Sequence, residues 1–106
     1  VMKRSIFDDS DNIDFYEQIS KRYGDIDFLI NNVGAIFMKR EETIEGLEKT
    51  FGLNHMSYFV LSKLFSQQAS PLRIINVSSE AHRNISLSFD DLQNKKIQDN
   101  IIIIKL

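Results

Sequence analysis

A chain of 106 residues holds one hydrophobic core at most, so these residues do not make a two-domain enzyme. With 42% hydrophobic and 26% charged residues and a net charge of -2, the composition is that of a globular protein without the basic excess that nucleic acid or anionic lipid would demand. Cysteine is absent and histidine occurs only twice, which excludes disulfides and thiolate zinc sites and leaves no histidine cage for a metal.

In chain order, the first nine residues show no clean period. Ser10 and Asp11 then offer capping side chains, and Ile13, Tyr16, Ile19 and Tyr23 recur at helical spacing. A helix is expected to end at Gly24, where a left-handed residue stops it. Ile26 to Ile30 is a short apolar run suited to a strand covered on both faces, as in a parallel sheet. Ala35 to Glu42 reads as a loop. Thr43 is placed to cap a long helix reaching Gln67, with Glu45 in its first turn. Its apolar stripe is Ile44, Leu47, Phe51, Tyr58, Leu61 and Phe65, widened by Leu53, Val60 and Leu64. Asn54 falls inside that stripe. Ser70 and Pro71 break the helix, and Leu72 to Val77 reads as a second strand rich in β-branched residues.

Strand, helix and strand form a βαβ unit, whose ligand crevice lies beyond the carboxyl ends of the strands. Those ends are Asn31-Asn32 and Ser78-Ser79. Glu80 to Lys96 has the texture of a long loop or short helix. The tail, Ile97 to Leu106, contains Ile101 to Ile104, a run of high strand propensity that is an aggregation hazard alone and is far short of a membrane span. No basic segment followed by an apolar one opens the chain, so a cytoplasmic protein is expected.

Three features meet at that crevice, and each has a bland reading beside a functional one. Asn31-Asn32-Val33-Gly34 either turns the chain or holds a ligand, since asparagine and glycine both tolerate left-handed backbone. Asn54 is a poor residue for a helix interior and needs a partner when buried. It makes either a structural hydrogen bond or an amide contact beside a reaction centre. Ser78-Ser79 either caps a turn or presents a hydroxyl to a carbonyl.

Taken together, "DIDFLINNVG", "TFGLNHMSYFVLSKL" and "RIINVSSEAHR" resemble the central part of the short-chain dehydrogenase/reductase family, and in particular its retinol-dehydrogenase-like branch. The resemblance covers about residues 13–96. It implies a partial Rossmann-type doubly wound parallel sheet of the α/β class, ordered helix, strand, helix, strand and loop, so that 1–106 would be an incomplete NAD(P)-binding domain with a divergent tail at 97–106. Asn31, Val33 and Gly34 would line the adenosine side of NAD or NADP, with Asn31 also bracing the sheet. Asn54 would anchor a water in a proton relay, and Ser79, supported by Ser78, would hydrogen-bond the reacting oxygen. The implied activity interconverts an alcohol and a ketone or aldehyde, with a small-molecule substrate.

The family's acid/base tyrosine carries a lysine four residues on. Here Tyr16, Tyr23 and Tyr58 are followed at that offset by Ser20, Asp27 and Ser62, and all three precede Ser79. They read as helix-packing aromatics. The glycine-rich phosphate turn is missing among the four glycines, Gly24, Gly34, Gly46 and Gly52. Lys39, Arg40, Arg83, Lys95 and Lys96 read as solvated charges. The expectation is an incomplete, truncated or frame-shifted family member without turnover of its own. The rival is a non-enzymatic binding or scaffold piece that associates, as a homo-oligomer, through the 43–67 helix.

Overall fold

The computed structural model describes residues 9–83, 89–93 and 95. The expectations for residues 97–106 therefore lie outside the described residues. Helix α1 spans Asp9–Tyr23. It already includes Ser10 and Asp11, so neither is the cap that the sequence suggests. The inward face is Asn12, Phe15, Tyr16 and Ile19, at spacings of three and four residues. Ile13 and Tyr23 fall outside it and are exposed. Gly24 ends the helix as expected: its φ is 70° and its N–H donates to Ser20 O at 2.9 Å.

Strand β1 spans Phe28–Asn31 and β2 spans Arg73–Asn76. They pair in parallel, with Leu29 opposite Ile74 and Asn31 opposite Asn76. Arg73 N–H to Asp27 O at 3.0 Å and Val77 N–H to Asn31 O at 2.9 Å bracket the ladder. One face of β1, Leu29 and Asn31, is buried under the helices. The other is not: Phe28 is 58% and Ile30 59% exposed. The expected two-sided cover is thus absent among the described residues, because α1 and α3 lie in a single layer.

The long helix starts later than Thr43. Thr43 instead closes a turn, its carbonyl accepting from Gly46 N–H at 2.9 Å and its Oγ1 from Leu47 N–H at 3.3 Å. Gly46 has φ 82°, which lies outside right-handed helix, and Ile44 consequently stands 91% exposed instead of joining the stripe. The helical run is α2 at Lys49–Phe51, a π segment at Gly52–Met56, and α3 at Ser57–Phe65. Within it Ser57 N–H reaches Gly52 O, the five-residue step of a π turn. Leu61 and Phe65 of α3 meet Leu29, Phe15, Tyr16, Ile19, Ile26 and Leu72 in the core. Tyr16 stands edge-on to Phe65 with ring centroids 5.0 Å apart. Each fully buried aromatic or leucine here contributes about 1.5 to 3 kcal/mol.

Glu48 caps the run. It is 1% exposed, its carboxylate accepts from Thr50 N–H at 3.0 Å and Phe51 N–H at 2.8 Å, and its own N–H donates to Gln93 Oε1 at 2.7 Å. A carboxylate at a helix start satisfies otherwise unpaired N–H groups and complements the helix dipole. Glu48→Ala is expected to lower unfolding free energy by about 2 kcal/mol in urea denaturation. Glu48→Gln, which keeps one acceptor oxygen, should lose less.

Candidate functional site

The carboxyl ends of β1 and β2 open into a cleft of about 160 Å³. Asn32, Val33 and Gly34 form one wall, Val77, Ser78 and Ser79 the opposite one, and Asn54 and Tyr58 line it from the helical run. This is the crevice position expected for a parallel βαβ unit.

Asn54 sits in the π segment and is 4% exposed. Its Oδ1 accepts from Ala35 N–H and its Nδ2 donates to Ala35 O, each at 2.9 Å. The amide so satisfies both peptide groups of one residue just past the strand end. Tyr58 lies four residues on, where a helix returns to the same face, and its hydroxyl donates to Val33 O at 2.6 Å. Its ordinary pKa of 10.0 already leaves the phenol a donor at neutral pH, and burial raises it further. Ser79 has extended backbone and caps the 3-10 turn Glu80–His82, its Oγ accepting from Ala81 N–H at 3.2 Å.

Val33, Gly34, Asn54 and Ser79 therefore come together on one cleft. Asn31 does not line it. That residue is 3% exposed and turned under the wall, where Nδ2 donates to Asn76 Oδ1 at 2.8 Å and Ser62 Oγ at 3.1 Å. It braces β1, β2 and α3, while its neighbour Asn32 faces the cleft. Tyr58 is the residue that the packing interpretation of the helical aromatics missed. Its spacing of four from Asn54 was the available signal. Arg40 also differs from a merely solvated charge: Nε and Nη2 donate to Gln93 O at 3.3 and 3.2 Å, and Nη1 pairs with Glu42 at 3.0 Å. Lys49 pairs with Glu41 at 2.8 Å, and this contact lowers the Glu41 pKa. Among the described residues no cluster of histidine, aspartate or glutamate could hold a metal ion, and no helix is long and apolar enough to cross a membrane.

A parallel strand pair bridged by a helix, with polar residues at the carboxyl ends, defines a partial Rossmann-type α/β fold. The chain belongs to the short chain dehydrogenase family, whose model matches residues 2–89. It is 34% identical over 85 residues to Retinol dehydrogenase 12 of Mus musculus, covering 77% of this chain and 27% of that protein. To Retinol dehydrogenase 13 of Homo sapiens it is 38% identical over 82 residues, covering 74% and 25%. The chain thus spans about a quarter of the length of these curated relatives. Among solved structures, an uncharacterized protein from Mycobacterium Paratuberculosis superposes with a TM-score of 0.76 at 30% identity, over 91% of this chain and 34% of that one. A short chain dehydrogenase from Burkholderia cenocepacia in complex with NADP shares the fold at a TM-score of 0.59 and 18% identity, over 84% and 38%.

Two outcomes follow from these contacts. Asn54→Asp replaces the amide donor with an oxygen facing Ala35 O, and urea denaturation should show a loss of about 1 to 3 kcal/mol. His55, beside Phe51 at 5.1 Å between ring centroids, has its pKa lowered from 6.5 by burial. The unfolded chain then binds the proton more readily. Stability from the neutral imidazole is complete above pH 6.5 and is lost as pH falls through the lower folded pKa. His55→Gln should flatten that acid limb in denaturation series taken at successive pH values.

Proposed function

We propose that these residues form one wall of an NAD(P)-dependent site that interconverts a small alcohol and its ketone or aldehyde. The observation that carries this reading is the convergence of Val33, Gly34, Asn54 and Ser79 on a single cleft at the strand ends, in a chain of the short chain dehydrogenase family. The wall fits the nucleoside side of a dinucleotide: Gly34 is exposed and without a side chain, so a flat or hydroxylated ligand approaches its backbone closely. A pyrophosphate cradle is not part of it. The positive-φ glycines, Gly24 and Gly46, serve a helix end and the Thr43 turn.

When bound, the nicotinamide supplies or accepts the hydride. Ser79, held at the rim by Ala81 N–H, is placed to hydrogen-bond the substrate oxygen as charge develops there. Asn54 has one N–H and one lone pair beyond its two bonds to Ala35, which suffice to hold a water at the base of the cleft. Asn31 acts on the wall from beneath, through the sheet. None of the tyrosines has a lysine at the fourth following position, so the acid/base partner of Ser79 is not among these residues.

Titration of the purified chain with NADH and NADPH, followed by fluorescence, tests this reading. Saturable binding of at least one dinucleotide is expected, weakened about tenfold by Gly34→Val, without alcohol or carbonyl turnover. Concentration-dependent self-association with no dinucleotide binding would replace it with the scaffold reading, in which the 43–67 segment is the contact. Turnover that survives Ser79→Ala would overturn the site assignment.

A further inference from the structure

Two side chains of the helical run reach the strand-end turn and leave Gly34 between them. Tyr58 donates to Val33 O at 2.6 Å, and Asn54 engages Ala35 N–H and Ala35 O at 2.9 Å each. No peptide here is cis. A trans peptide is planar, with its C=O and N–H pointing in opposite directions. Val33 C=O and Gly34 N–H belong to one peptide unit, so drawing the carbonyl toward Tyr58 aims the Gly34 N–H away from the helix. Gly34 C=O and Ala35 N–H belong to the next unit. Drawing that N–H to Asn54 aims the Gly34 carbonyl away from the helix as well.

Gly34 is exposed, and its own N–H and C=O make no hydrogen bond to another described residue. The turn consequently displays one donor and one acceptor on the same residue, with no side chain in the way. Such a pair suits a hydroxyl group, which accepts and donates at once.

The geometry points to Tyr58 as a positioning residue that presets the Gly34 peptide groups for a ribose hydroxyl of a bound dinucleotide. The ligand class rests on the function proposed above; the positioning does not. Tyr58 stands in a stripe of helix-packing aromatics, yet its hydroxyl is committed to a backbone carbonyl 25 residues away in the chain. A phenol is protonated at neutral pH and burial moves its ionisation further up, so the contact persists under ordinary conditions.

Tyr58→Phe removes one oxygen and leaves the ring. Backbone ¹⁵N relaxation on the full chain should show the Gly34 order parameter falling from about 0.85 to about 0.6, while Leu61 in α3 is unmoved. The dissociation constant for NADH or NADPH should rise about tenfold, with the urea midpoint little changed. An unchanged Gly34 order parameter overturns the positioning role, whether or not a dinucleotide binds. A wild-type chain that binds neither dinucleotide overturns the ligand class and the function proposed above, and the relaxation data then decide the role of Tyr58 alone. A loss of order that extends equally to Leu61 assigns Tyr58 to general stability and overturns the inference.

Discussion

The carboxamide of Asn54, bonded to both peptide groups of Ala35, is the contact on which the cleft depends. A strand end that leaves a sheet has peptide groups with no ladder partner, and burying them unpaired costs about 1 to 3 kcal/mol each. Asn54 meets that need from the helical run, and in doing so ties the turn after β1 to the helix. The same device recurs at the other end of β1. Gln68 Oε1 accepts from Ile26 N–H at 3.0 Å, and its Nε2 donates to Ile26 O at 2.8 Å. Between the two, Asn31 reaches back to Ser62 and across to Asn76. Three carboxamides thus tie this short strand to the helical side: Gln68 just before it, Asn31 at its last residue and Asn54 just after it.

Those bonds require the helix to hold a fixed phase, which is set at its start and adjusted in its middle. Glu48 begins the run by accepting two backbone N–H groups, and Gln93 holds Glu48 by its N–H while Arg40 holds Gln93 by its carbonyl. The π segment Gly52–Met56 then inserts its wider turn where Asn54 leaves the helix. Ser57, wholly buried, returns its hydroxyl to Leu53 O. From there Leu61 and Phe65 bury against Leu29 and α1. Polar contacts set the angle of the helix, and apolar ones supply its adhesion.

How much of this was legible depends on the range of the interaction. The helix stop at Gly24, the parallel pairing of two short apolar runs and the buried Asn54 all follow from local spacing and side-chain type. The start of the long helix did not, because Thr43 and Gly46 are equally good residues for a cap and for a turn. The turn is closed by its own bonds to Leu47, and the helix begins after Glu48, whose N–H is held by Gln93, 45 residues further along the chain. The cleft residues were legible as a group through the resemblance of three motifs, but the division of labour was not. Asn31 and Asn32 are identical in type and adjacent, and only the strand's alternation sends the first beneath the wall and the second into the cleft. Tyr58 was hidden by a stripe of aromatics, since helical spacing assigns a face and says nothing of where a hydroxyl ends.

The wall and the sheet obey different constraints. Every bond that shapes the turn from Val33 to Ala35 comes from Asn54 or Tyr58, both within a single turn of the helical run. Its geometry is therefore local and is closed within the described residues. Sheet cover is not local: Phe28 and Ile30 lie open on the face opposite α3, with Ile75 beside them on β2. Hydrogen bonds are directional and hold a shape when satisfied pair by pair, whereas hydrophobic burial accrues with area and needs a second layer. A chain of this kind keeps the shape of the cleft wall more tightly than its modest core would suggest, because the carboxamide of Asn54 and the phenol of Tyr58, and not the area of the core, determine where that wall stands.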